Sequence, residues 1–394
     1  MQKMFTINGL VATLNIGAKI VGLTPPVLPP NTVRVRTNDG NAPVKGSSTS
    51  YETATLISGT SDVYDVYKSG NSFKDLLRAS TNVVEVIEAN TTGITDMQGM
   101  FLGCRALTTV PLFDTSSVTN MEYMFLGCTS LTSILLIDTS SVTNMHGMFS
   151  GCTSLTTIPL IDTSSVTTMW SMFSGCTSLT TVPLLNTSSV TDMQAMFMNC
   201  TSLTTIPLID TSSVISMVDM FDGCTSLTSI PLIDTSSVTI MWNMFLGCTS
   251  LTTVPLLNTS SVTYMEGMFR GCTALTTVPL FDTSSATNMS YMFEGCSSLT
   301  AVPLFYTSAA TNMQGMFKDC TSLTTVPLLN TSSVTDMSVM FYGCINVESG
   351  ALALYQQAST QTTPPSNHED TFYNCGSNTT TGRAELYEIP WAWK

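Results

Sequence analysis

Eleven cysteines, Cys104, Cys128, Cys152, Cys176, Cys200, Cys224, Cys248, Cys272, Cys296, Cys320 and Cys344, follow one another at intervals of 24 residues without a slip. A period this strict marks stacked copies of one supersecondary unit. No single copy can bury its own apolar face, so neighbours close over a continuous core and the chain grows along an axis.

A full unit is Thr139–Asp162. Met145, Met148, Phe149 and Cys152 fall at i, i+3, i+4 and i+7, which predicts a short helical turn with these side chains inward. Leu155, Ile158 and Leu160 then read as a short strand with the last two alternating. The expected fold class is therefore an α/β repeat solenoid, a leucine-rich-repeat-like right-handed coil with a short strand and a short helical turn per unit, preceded by a small β-rich unit. Proline stands inside the expected strand at 111, 159, 183, 207, 231, 255, 279, 303 and 327. It cannot donate to a ladder, so the sheet should be irregular in that column.

The chain divides into four parts. Residues 1–30 form an apolar lead ending in a stiff spacer, Pro25-Pro26-Val27-Leu28-Pro29-Pro30. Residues 31–75 alternate as strands do, with a turn signal at Asn38-Asp39-Gly40. Residues 76–348 carry the solenoid, whose first coil is atypical: Leu76-Leu77 hold the places of Met100-Phe101, as a capping repeat should. Residues 349–394 form a C-terminal cap. In it Ala351–Ala358 is predicted helical, Thr371–Cys375 echoes Met-Phe-x-Gly-Cys, and the bulky end Tyr387–Lys394 seals the core.

The unit Val-Thr-x-Met-x-x-Met-Phe-x-Gly-Cys-x-x-Leu-Thr-x-x-Pro, repeated over roughly 76–348, resembles the BspA-type leucine-rich repeats of bacterial surface proteins, including their mycoplasmal branch. The resemblance implies adhesins and surface-binding modules. Similar repeats are also phage-encoded.

Charge narrows the partners. The chain carries −14, and between Asn90 and Glu348 its only cations are Arg105, Arg270 and Lys318. Such a surface cannot neutralise phosphates, so neither nucleic acid nor an anionic membrane is an expected partner. No apolar run reaches membrane-spanning length, and the N-terminus makes a poor secretion signal because Asn8 and Asn15 interrupt it.

Chemistry is scarce. Eleven cysteines in line cannot all pair and contain no Cys-x-x-Cys, so a buried, reduced thiol ladder is expected rather than zinc. Cys375 stands apart as a candidate bridge to Cys344. The column Asp114, Asp138, Asp162, Asn186, Asp210, Asp234, Asn258, Asp282, Tyr306, Asn330 could line up carboxylates for calcium. Free exchange of Asp for Asn favours an Asx-turn into Thr-Ser-Ser instead. The two histidines, His146 and His368, lie far apart, and no catalytic constellation forms around either. No metal and no cofactor are expected.

Columns between the inward residues vary from coil to coil and are expected to face solvent. Tyr123, His146, Trp170, Asp219, Trp242, Tyr264 and Tyr291 are the candidate ligand-binding residues, because exposed aromatics favour binding surfaces. Trp170 and Trp242 stand 72 residues apart, and Leu-Leu-Asn recurs at 184–186, 256–258 and 328–330, so duplication of a three-unit block also accounts for the shared Trp. The functional expectation is a non-enzymatic binding and structural protein contacting protein or glycan on a host surface, anchored through its N-terminal unit. Its place is a phage virion, as fibre or tail-associated adhesin, with a bacterial cell-surface adhesin as the alternative. An enzyme seated in a terminal unit is the remaining reading.

Overall fold

The computed structural model describes residues 28–394 and, before them, the backbone of two strands, β1 (Lys3–Ile7) and β2 (Leu10–Leu14), paired antiparallel with Lys3 opposite Leu14. The expected proline spacer lies outside the described residues as far as residue 27. Four further strands follow: β3 (Thr32–Thr37), β4 (Thr53–Leu56), β5 (Val63–Tyr67) and β6 (Val83–Asn90), in spatial order β4-β5-β3-β6 with every pair antiparallel. Alternation in β3 buries Val33 and Val35. It turns Arg34 towards Asp65 at 2.7 Å, and Arg36 towards Asp62 and Glu85 at 3.0 Å each.

The sheet and the solenoid share material. Glu85 on β6 forms a parallel bridge to Thr109, and Ser72 bridges Asp96 in the same sense. A boundary at 75/76 therefore cuts through shared structure, and one apolar core runs from Val33 to Trp393.

Each coil is simpler than a strand plus a helix. The inward residues of the expected helix, Met145, Met148, Phe149 and Cys152, are all fully buried, yet no helix forms between residues 91 and 350. The backbone instead makes tight turns. Met148 N–H donates to Met145 C=O and Cys152 N–H to Phe149 C=O, at 3.2 and 3.0 Å. The N–H groups between them leave the coil: Gly147, Phe149 and Gly151 donate to the carbonyls of Trp170, Met172 and Ser174 in the next coil. The cause is two left-handed residues four apart in every coil, here Gly147 (φ 57°) and Gly151 (φ 71°), which a right-handed helix cannot contain.

The expected strand at Leu155–Leu160 is absent too. Each coil instead contributes one parallel bridge residue ahead of the turns, the column Asp96, Asn120, Asn144, Thr168, Asp192, Ser216, Ile240, Tyr264, Asn288, Asn312, Asp336 and Asn367. Beyond Leu155 one backbone bond continues, Thr156 N–H to Thr132 C=O at 3.3 Å. Pro159 has no N–H to extend that ladder. Without a pleated strand the expected alternation also fails. Ile161 is buried at 2% exposure, whereas Leu160, expected inward, is 62% exposed.

The interior consists of identical side chains laid on one another. The rings of Phe101, Phe125, Phe149, Phe173, Phe197, Phe221, Phe245, Phe269, Phe293, Phe317, Phe341 and Phe372 form an unbroken near-parallel stack, with centroids 5.1–5.9 Å apart. Beside it the cysteines are free, buried thiols whose Sγ–H meets a carbonyl, as Cys152 meets Phe125 C=O at 3.1 Å. Burial pushes the thiols of Cys104, Cys152 and Cys296 up to about 12. Buried threonines join the coils as well, Thr163 Oγ1 donating to Asn186 C=O at 2.7 Å. The acidic column makes Asx-turns: Asp162 Oδ1 accepts from Ser164 N–H at 2.9 Å, which holds its carboxyl below the usual range.

At the C-terminus α1 (Ala351–Ser359) precedes a last coil, in which Asn367 bridges Asp336 and Phe372 extends the ring stack. After α2 (Thr380–Glu388) the chain ends in a 3-10 turn, Trp391–Trp393. Trp393 closes the core over Phe372, His368 and Tyr355. Of the bulky end Tyr387–Lys394, Ile389 and Trp393 are buried, whereas Tyr387 and Trp391 are 84% and 80% exposed. Cys344 and Cys375 are both free rather than bridged.

Candidate binding face

The variable columns lie on one face of the stack, and the structure breaks them into three patches. The first joins Tyr123, His146 and Trp170 from three successive coils. His146 lies flat against Trp170, centroids 4.6 Å apart and planes 9° apart, and Tyr123 packs on its other side at 4.6 Å. Tyr123 Oη is 3.2 Å from His146 Nε2, and Glu122 Oε1 is 3.6 Å from His146 Nδ1. Glu122 on that side favours the tautomer with the proton on Nδ1, leaving Nε2 to accept from the tyrosine hydroxyl. Burial depresses the His146 pKa, with Glu122 and Asp192 opposing, so the ring is neutral at pH 7. Gln98 and Asn144 donate to Glu122 Oε2 at 2.9 and 3.3 Å and complete a polar backing. Trp170 ends the stack with 45% of its surface exposed.

Backbone chemistry sets this patch up. Asn120 and Asn144 accept from the N–H two residues on, that of Glu122 at 3.1 Å and of His146 at 2.9 Å, so these two bridge residues also make Asx-turns that set the backbone of Glu122 and His146. Tyr123 occupies the first left-handed column at φ 56°. Its ring leans over Gly147 in the next coil, where a Cβ would sit 2.6 Å from Cδ1. Tyr291 and Gly315 repeat the arrangement at 2.5 Å from Cε1. A column that reads as free variation is therefore constrained twice, by positive φ and by the neighbour one coil away. The signal was present in the sequence, since Asn243 also precedes a glycine in that column, Gly267.

The second patch holds Asp219, Asp222 and Trp242. Asp222 stands in a column between Met198 and Leu246, and burial followed by the charge of Asp219 raises its carboxyl to about 6. Burial also raises Asp219, with Asn243 opposing through a hydrogen bond. Trp242 is 46% exposed, three coils or roughly 14 Å from Trp170 at the usual strand spacing. Tyr264, in the bridge column, is half exposed one coil further on. The third patch is an ion cluster absent from the sequence expectations as a unit. Glu294 receives Arg270 at 2.6 Å and Lys318 at 2.7 Å, and the Arg270 guanidinium sits 5.4 Å from the Tyr291 ring centre. Among the described residues no group of three or more His, Cys, Asp or Glu is gathered to hold a metal, and no helix is long and apolar enough to cross a membrane.

The family described as "Mycoplasma protein of unknown function, DUF285" matches residues 71–183, 128–229, 180–275 and 252–355, overlapping segments that together span 71–355. The chain belongs to this family. No curated protein sequence matches it. Among solved structures it is similar to a leucine-rich repeat protein from Bacteroides ovatus, at 18% identity and TM-score 0.34, over 89% of this chain and 98% of that one. It is similar to a leucine rich cell surface protein from Faecalibacterium prausnitzii, at 19% and 0.34, over 79% and 86%. A third is a leucine-rich repeat protein from Eubacterium ventriosum, at 18% and 0.39, over 70% and 84%.

Proposed function

We propose that this DUF285 chain is a non-enzymatic, surface-displayed binding protein whose ligand site is the stacked platform of Tyr123, His146 and Trp170. The observation that carries the reading is the platform itself. Three aromatic rings from separate coils stack in order, with His146 held by the Asn144 Asx-turn and the Glu122 backing and Tyr123 seated over Gly147, and they end in a half-exposed indole on a surface otherwise dominated by Ser and Thr. A half-exposed indole at the end of an aromatic stack, which Glu122, Asn144 and Gln98 back on the His146 side, suits a sugar or an aromatic side chain of a protein. The host-surface partner is accordingly a protein or a glycan, with the N-terminal unit as the anchor.

The matched family is described from Mycoplasma, which supports a bacterial owner; the phage virion has no such support. Titration of the full chain on a glycan array and on immobilised host-cell surface proteins, with intrinsic tryptophan fluorescence as readout, tests the site. Trp170→Ser should cut binding tenfold or more and leave the melting temperature unchanged, while Trp242→Ser should have a smaller effect. Unchanged binding by the Trp170 variant overturns the assignment.

A further inference from the structure

A second exposed apolar feature runs from coil to coil. Leu112, Leu136, Leu160, Leu184, Leu208, Leu232, Leu256, Leu280, Leu304 and Leu328 occupy one column, and each is 47–65% exposed. Ten leucines stacked at the spacing of the coils make an unbroken ridge. Beside its first three members runs a groove of about 630 Å³, lined by Leu112, Leu136, Leu160 and by Asp114, Asp138 and Asp162. Monomeric soluble proteins rarely expose so continuous an apolar strip.

We propose that this ridge is the interface of a parallel homodimer, with the two-fold axis running along the solenoid. The first argument is period. A partner gripping all ten leucines must present matching features at the same rise per coil, and a different repeat drifts out of register within a few coils. A second copy of this chain matches it coil for coil. The second argument is area. Ten leucines with flanking prolines present on the order of 1,000 Å² per copy, against the roughly 800 Å² that each partner contributes to a standard interface.

The third argument, charge, fixes the orientation. One edge of the ridge carries the exposed acids Asp114, Asp138, Asp162, Asp210, Asp234 and Asp282. The other carries exposed, uncharged residues such as Thr109, Thr157, Thr181, Thr253 and Thr277. A two-fold perpendicular to the solenoid sets acid row against acid row, and like charges in register repel. A two-fold along the solenoid exchanges the edges, so each acid row meets hydroxyls. The Oδ1 atoms already accept from serine N–H groups, as Asp114 does from Ser116 at 3.0 Å, which leaves Oδ2 free to accept across the interface.

Sedimentation velocity of the full chain, from micromolar to tens of micromolar, tests association. A dimer is expected, and Leu160→Lys with Leu208→Lys should convert it to monomer without changing the circular dichroism spectrum. Orientation is read by pulsed electron paramagnetic resonance with a spin label at Ser116→Cys, since the native thiols are buried. Labels on two parallel copies lie close together, whereas antiparallel copies separate them by about 40 Å at the usual coil rise. A monomer at the highest concentration, a dimer indifferent to the lysines, or a long label distance each overturns the proposal.

Discussion

At the residue scale, stacking makes every column a chain of like neighbours, and a residue that breaks its column feels the difference. Asp222 is the clearest case, because the same position holds Met198 one coil before and Leu246 one coil after. Its carboxyl is raised to about 6, first by burial and then by Asp219. A folded-state pKa above the ordinary value means that the native state favours the protonated acid. The stability linked to this group is therefore complete below its ordinary pKa of 3.8 and is lost as pH rises through about 6. Asp222→Asn, which imitates the protonated acid, should raise the melting temperature at pH 7 by about one or two degrees, since a site only partly buried is still screened by solvent. At pH 4 the gain should vanish. An equal gain at both pH values would place the effect in packing rather than in the charge.

At the element scale, the coil is a device for placing two left-handed residues without losing hydrogen bonds. Alternate N–H groups close local turns or reach the next coil, so nearly every donor in the turn segment is satisfied although no helix exists. Glycine supplies most of the second left-handed column, while Asn199 and Asp319, residue types that tolerate the conformation, supply others. The phenylalanine stack gives each coil its main apolar contact with both neighbours. Phe221→Ala should cost about 3–5 kcal/mol, as large-to-small changes do in a full core. Because coils touch only their neighbours, the loss should be local and should divide thermal unfolding into two transitions. Differential scanning calorimetry checks this, and a single transition shifted as a whole would show that the array unfolds as one unit.

At the scale of the whole molecule, the stack runs through bridge positions from Ser72 to Asn367 and is closed at both ends. The antiparallel sheet covers the first coil by sharing β6, and Trp393 covers the last ring of the stack. About a dozen steps of roughly 4.8 Å give an elongated core near 60 Å long. A chain ending after Ser359 loses the last coil and the cap, leaving Phe341 and Met340 without the residues that now bury them. It should bind a hydrophobic dye such as anilinonaphthalene sulfonate at 25 °C and melt several degrees lower than the full chain. Equal dye binding and an equal melting temperature would mean that the cap protects nothing.

The sequence by itself determined whatever depends only on period: the solenoid, the inward Met, Phe, Cys and first Leu of every unit, and the Asx-turn column. These follow because a residue repeated without exception must meet its own copy above and below, and only a buried or backbone-bonded role imposes that. The direction of Leu160 and the course of the Met-Phe turn were not legible. The spacing i, i+3, i+4, i+7 fits a helix as well as a run of tight turns, and the turns prevail because two residues of every coil are left-handed, which a right-handed helix cannot contain. With the strand replaced by an irregular extended segment, Ile161 rather than Leu160 turned inward, and the leucine ridge appeared where a core column was expected. The platform at Tyr123, His146 and Trp170 was visible only as three variable letters 23 and 24 residues apart. That their rings meet was decided by the stacking of coils, which brings distant residues to van der Waals distance, and by Gly147, which leaves room for the tyrosine ring.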